Sequence, residues 1–169
     1  MRRLHSFLYG LIFGSLFEVF PDRWLTALAR VVSLSMRSMG LMSERLERIS
    51  RDPKQVDALL RMTFRLFEIW RLDAHQQAIL FGVRSTSTIY RWRKHGAKQL
   101  RIETLERITH LLAIHKRLRL LFYRNPDLGR DWVRTNNKAF KGKPPIDAML
   151  RGRISDLELV RRYLEYTAG

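Results

Sequence analysis

The chain has 169 residues, 46% of them apolar and 28% charged. That balance suits one folded domain or two very small ones, and it excludes a chain disordered throughout. Lys and Arg number 32 against 16 Asp and Glu, a formal charge of +16. So large an excess on so small a body calls for an anionic partner: nucleic acid first, then an acidic protein or anionic lipid. The basic residues are 25 Arg and 7 Lys. This suits bidentate contact with phosphate or carboxylate, although a GC-rich genome produces the same bias. With no cysteine, disulfide scaffolds, thiol catalysis and cysteine-based zinc sites are excluded, and a reducing, cytoplasmic setting is expected.

Residues 1–42 form a segment of their own. Arg2 and Arg3 precede an apolar run from Phe7 to Phe20, and Ala27-Leu28-Ala29 follows. The segment reads as an over-extended start or loosely attached helix, as an ordinary packed helix, or as a signal-like or membrane-surface stretch. The run is shorter than the roughly 20 residues that cross a bilayer. No function is placed on it.

From Ser43 the pattern is helix after helix. Asp52-Pro53-Lys54-Gln55 combines an N-cap, Pro at the first helical position and Gln at the third. Val56, Leu59, Leu60, Thr63, Phe64, Phe67 and Trp70 then recur at three- and four-residue spacing. This stripe over 53–72 is a candidate dimer surface. Asp73 with Gln76 opens a short helix ending at Gly82, and a second short helix is expected from about Ser87 to His95. Glu103–Tyr123 reads as the longest element. Asn125-Pro126 starts a helix of one or two turns carrying Leu128 and Trp132, and Pro144-Pro145 starts another with Ile146, Met149 and Leu150. Ser155 with Glu158 predicts a capping box for a last helix burying Leu157, Val160 and Leu164. No stretch alternates long enough for a strand, so the fold class is all-α: a helical bundle spanning 43–120, followed by a small helical domain over 121–169.

Residues 73–96 carry the first functional pattern. Two short helices meet at Gly82-Val83, where glycine supplies the positive φ that a tight inter-helix turn needs. Ala78 is small at the crossing point, and Phe81, Val83, Ile89 and Trp92 form the shared core. This is a helix-turn-helix, with the second helix entering a major groove. Its polar face presents Arg84, Ser85, Thr86, Ser87, Thr88, Tyr90, Arg91, Arg93 and Lys94, the candidate DNA-binding residues. No acidic residue occurs between Asp73 and Glu103, the sign asymmetry that counterion-release binding uses. From Gly82 to Ile89 the turn is one residue longer than the commonest spacing, which leaves the start of the recognition helix open. The competing reading is a helical hairpin with a solvated basic face.

Residues 121–150 carry the second pattern. Leu121-Phe122, Trp132-Val133, Asn136-Asn137-Lys138-Ala139-Phe140, Gly142 and Pro144-Pro145-Ile146-Asp147 resemble, in that order, the C-terminal toxin-binding domain of the Xre/MbcA/ParS antitoxins. That family places a helix-turn-helix ahead of this domain, and the resemblance covers about Leu59 to Gly169. It implies an antitoxin of a type II toxin–antitoxin pair that neutralises a RES-domain, NAD-consuming toxin and represses its own operon. The resemblance also implies toxin-binding roles for Trp132, Asn136 and Asn137, with Trp132 and the asparagines serving mainly as core and turn residues. The terminal segment, with Arg161, Arg162, Tyr163, Tyr166 and Gly169, is the expected plug of the toxin cleft. Its competing reading is a frayed amphipathic terminus.

A catalytic reading finds no support. There is no Gly-rich phosphate loop, no Gly-x-Ser-x-Gly and no His-Glu-x-x-His. His110 and His115 are five apart, off a common helix face, and read as boundary residues. Glu103 and Glu106 favour the dipole of a first helical turn. No enzyme activity, metal, cofactor or small-molecule substrate is expected. The expected partners are a RES-domain toxin, operator DNA and a second copy of the chain. The alternatives are a stand-alone helix-turn-helix regulator whose C-terminal region dimerises or binds an effector, and a basic interaction module without specific DNA binding that associates with membranes through residues 7–20.

Overall fold

The computed structural model describes residues 40–167. The apolar run Phe7–Phe20 and Gly169 therefore lie outside the described residues. The described residues from Arg45 onward make one compact unit, and a helical stretch ends at residue 50. Helix α1 runs Pro53–Ile69, α2 Ala74–Phe81, α3 Thr86–His95 and α4 Ile102–Leu121. After them come α5 (Pro126–Asp131), short 3₁₀ turns at Trp132–Arg134 and Lys138–Phe140, α6 (Pro145–Met149) and α7 (Ile154–Thr167). The all-α class holds: among the described residues the nearest approach to a strand is an isolated bridge between Asn137 and Lys143.

Local chemistry accounts for most of the helix ends. The Asp52 carboxylate accepts from the Lys54 and Gln55 amides while Pro53 occupies the first turn of α1. Asp73 and Gln76 close a full capping box on α2. Gly82 ends α2 in the left-handed region at φ 72°, and the next amide, Val83, donates back to Ala78. That geometry is costly for any residue with a Cβ.

Helix α4 is the spine. Leu105, Ile108, Leu111, Ile114 and Leu118 along it are all buried. It contacts α1, α2, α5 and α7. The boundary expected at 120/121 therefore falls at the end of a continuous helix whose residues serve both halves.

Two sequence expectations are overturned. The α1 stripe is not a free dimer surface, because Val56, Leu60, Thr63, Phe64, Phe67 and Trp70 are buried in the chain's own core. An amphipathic stripe has the same spacing whether its cover is intramolecular or a second copy. The Ser155/Glu158 capping box does not form either. Helix α7 already begins at Ile154, and Glu158 pairs with Arg162 at 2.6 Å. The polar anchor of that helix start is Asp156, buried and held by Arg151 (2.6 Å) and Arg153 (2.9 Å).

Candidate functional site

The start of the recognition helix, left open by sequence, is settled at Thr86. Ser85 is its N-cap: its hydroxyl accepts from the Ser87 amide at 3.1 Å and lies 2.7 Å from the Ser87 hydroxyl. The four-residue turn Gly82–Ser85 thus feeds a capped helix. Ile89 is fully buried beneath it, and the Phe81 ring meets Trp92 at right angles, centroids 5.4 Å apart. Phe81 also packs edge-on against Phe64 and Phe67. This aromatic knot fixes the angle of α2 and α3 on α1, since such pairs add directional energy to plain burial.

With Ile89 and Trp92 inward, α3 turns Ser87, Tyr90, Arg91 and Lys94 outward, all exposed. Tyr90 stands 62% exposed. Thr86 and Thr88 are half-buried at the margins, and Arg84 is exposed in the turn before them. Arg93 sits differently from its neighbours. Its guanidinium lies 4.6 Å above the Phe64 ring, donates to Glu68 at 3.0 Å and reaches Gln77 at 3.4 Å. It ties α3 to α1 and α2, leaving Arg91 and Lys94 as the outward cations of the helix.

In the C-terminal region Trp132 stacks on Tyr163, centroids 6.2 Å apart, and Phe140 meets both edge-on. Phe140 is brought there by a tight loop. The Asn137 amide donates to the Lys143 carbonyl at 3.2 Å, and the Asn137 side chain accepts from Ala139 at 2.9 Å. Lys141 and Gly142 turn through positive φ. Asn137 is therefore a turn-former, while Asn136 is exposed.

The expected plug residues divide by helix face. Tyr163 is in the aromatic cluster, and Arg161 is half-buried beside Glu165. Arg162 is exposed, and Tyr166 is 90% exposed. Leu159 joins them on the outer face at 51% exposure. Together they form a stripe at helical spacing opposite the buried Leu157, Val160 and Leu164.

Sequence reasoning missed three anchors built from four arginines. Arg107 donates to the Gly152 carbonyl at 2.6 Å. Arg134 donates to the Trp70 and Arg71 carbonyls at 2.8 and 2.6 Å, closing the end of α1. Arg151 with Arg153 holds Asp156, and those partners keep its carboxyl below the usual range. Only the last had a local signal, Arg-x-Arg-x-x-Asp. His110 and His115 are half-buried, and burial lowers both imidazole pKa values. Among the described residues no three His, Cys, Asp or Glu side chains gather as a metal site, and no helix is long and apolar enough to cross a membrane.

Comparison with known proteins agrees with this division. Residues 47–113 match the antitoxin Xre-like helix-turn-helix domain, and residues 117–169 match the antitoxin Xre/MbcA/ParS C-terminal toxin-binding domain. The chain is 40% identical over 120 residues to the uncharacterized protein y4oB of Sinorhizobium fredii (strain NBRC 101917 / NGR234), covering 71% of this chain and 92% of that one. The helix-turn-helix region and the C-terminal region thus match, in order, the two antitoxin domains of one family: the chain belongs to the Xre/MbcA/ParS antitoxin family.

Proposed function

We propose that this antitoxin acts in the cytoplasm without enzymatic activity, neutralising a RES-domain, NAD-consuming toxin through its C-terminal domain. The observation that carries this reading is the outer face of α7. The inner face of that helix is buried to the last turn, yet Leu159, Arg162 and Tyr166 stand in solvent. Exposed aromatic and arginine side chains on a rigid helix are what a protein interface uses as anchors. The helix is held by Val160, Leu164 and the Trp132–Tyr163 stack, so presenting these anchors costs little further ordering.

The same complex represses its own operon through α3, with Tyr90 and Arg91 at the base edges. A homodimer on a palindromic operator suits this mode. Its interface lies away from the α1 stripe, which the core consumes.

The test is co-expression with the product of the adjacent gene, scoring growth and co-purification. Removing α7 entirely is a poor control, because Leu157, Val160 and Leu164 cover α4. The double variant Arg162→Glu/Tyr166→Ala leaves those contacts intact. Growth rescue by the native chain and its loss in the double variant, at equal helical content, is the expected result. A harmless neighbour, or a double variant that still rescues and co-purifies, would refute the reading.

A further inference from the structure

The helix-turn-helix reading gives no role to the cations of α1, which share a groove with the end of α3. An open groove runs between α1 and the C-terminal end of α3, with Asp57, Arg61, Arg65 and Glu68 on one wall and Lys94 and His95 on the other. Its two carboxylates are already neutralised from within. Asp57 pairs with Arg61 one turn on, and Glu68 pairs with Arg93 at 3.0 Å. Among the described residues no carboxylate lies within ion-pair distance of Arg65 or Lys94. Both are exposed. They converge on the same groove from different helices, and Arg93, clamped on Phe64, holds the two helices in register.

We infer that this groove seats a backbone phosphate of the DNA strand beside the recognition helix, bound by Arg65 of α1 together with Lys94 of α3. The inference rests on the DNA-binding reading above. A helix lying in a major groove about 12 Å wide has a phosphate wall on each side. A protein that meets such a wall with cations from two elements fixes its register without reading sequence. Two exposed cations without carboxylate partners, lining one groove, offer an external anion charge that no local carboxylate already neutralises. Arg65 brings a planar fork suited to two phosphate oxygens, and Lys94 brings a point charge. Arg61, shared with Asp57, contributes less.

Backbone contacts and base contacts leave different signatures, and these test the assignment. Binding of the full chain is measured over a range of salt concentrations, using two duplexes. One is the duplex immediately upstream of its own coding sequence, the other a shuffled duplex of equal composition. Arg65→Gln is expected to weaken both by the same factor, severalfold, and to make the slope of log K against log[salt] shallower by about 0.9, the loss of one neutralised phosphate. Lys94→Gln should act alike, Arg65→Lys should keep the native slope, and Arg91→Gln should instead shrink the ratio between the two duplexes. Arg65→Gln with native affinity and slope on a duplex that the native chain binds would overturn the inference and leave the DNA-binding reading standing. Failure of the native chain to bind either duplex would sink both. Loss of toxin co-purification in Arg65→Gln, with the salt slope unchanged, would reassign the groove to a protein partner. Equal far-ultraviolet circular dichroism of native and variant chains separates these outcomes from misfolding.

Discussion

Arg107 and Gly152, 45 residues apart in sequence, are joined by a hydrogen bond of 2.6 Å from the guanidinium Nη2 to the carbonyl. Helix α4, which carries Arg107, ends the helix-turn-helix region, and Gly152 lies in the turn between α6 and α7. The same guanidinium packs against Gly82, where a Cβ would stand 2.6 Å from its Nε. Burial lowers its pKa, though an arginine remains charged at any physiological pH. One side chain thus touches both the turn that aims the recognition helix and the turn that launches the terminal helix.

Gly82→Ala is expected to destabilise the fold by about 1–2 kcal/mol. The left-handed backbone at φ 72° supplies most of that cost. The added methyl also forces Arg107 aside. Urea unfolding of the two proteins side by side gives the difference. A change within a few tenths of a kcal/mol would mean that the turn adopts another conformation at little cost.

Arg134→Ala removes two charge-assisted hydrogen bonds from the end of α1, where the Trp70 and Arg71 carbonyls face out of the helix. Arg71 is itself held at φ 53° there. A loss of about 1–2 kcal/mol is expected, the lower part of the range for charged hydrogen bonds because Arg134 is exposed. Amide exchange should quicken first in the last turn of α1. Unchanged protection there would show that the carbonyls are equally well served by solvent.

Stability should fall on mild acidification. Burial, and then the charge of Arg161, lowers the His110 pKa, against the opposing pull of Glu106, Glu158 and Glu165. Burial and Arg119 lower the His115 pKa. A histidine whose folded pKa lies below its unfolded value of about 6.5 binds more protons when unfolded. Its contribution is therefore intact above that value and declines as pH falls through it. Urea midpoints taken between about pH 7 and pH 5 should drop for the native chain and drop less for the double variant His110→Gln/His115→Gln. Parallel pH profiles would assign the decline to other groups.

Asp156 governs a second, more acidic limb. Its hydrogen bonds from Arg153 and Arg151 lower its pKa below 3.8. The stabilisation is fully present above the unfolded value and is lost as pH falls toward the lowered folded one. Asp156→Asn is expected to cost about 1–3 kcal/mol at neutral pH and to flatten the limb below about pH 4. A variant that keeps the native acid profile would show that Asp156 contributes nothing through its charge.

The parts of the fold legible in sequence are those set by neighbours in the chain. Asp52 with Pro53, Asp73 with Gln76, and Gly82 each announce a helix end, because caps and left-handed turns are closed by residues within four or five positions. Ser155 with Glu158 has the same form and does not cap. The helix starts two residues earlier, at Ile154, with two arginines converging on Asp156, and pattern alone cannot rank competing polar partners. The site followed the same division. Tyr90 and Arg91 were recognisable as outward residues because Ile89 and Trp92 set the helical phase. Arg93 shares that polar run, yet it lies on Phe64 and Glu68, which only the packing of α3 on α1 brings within reach.

The sequence by itself determined an all-α chain, the helix-turn-helix with its glycine hinge, the strong positive charge, and the ordered C-terminal residues that mark the family. The first three are written in composition or in spacings of a few residues, and the last rests on a resemblance to a known family. Only the tertiary structure decided that the α1 stripe is spent on the core. The same is true of Tyr163, which is locked against Trp132 and Phe140 while Tyr166 stands free, and of Arg107 and Arg134, which fasten the two halves together. The periodicity of a helix states which residues share a face but not what covers that face. The covering partner lies tens of residues away, and packing the whole chain into one minimum selects it.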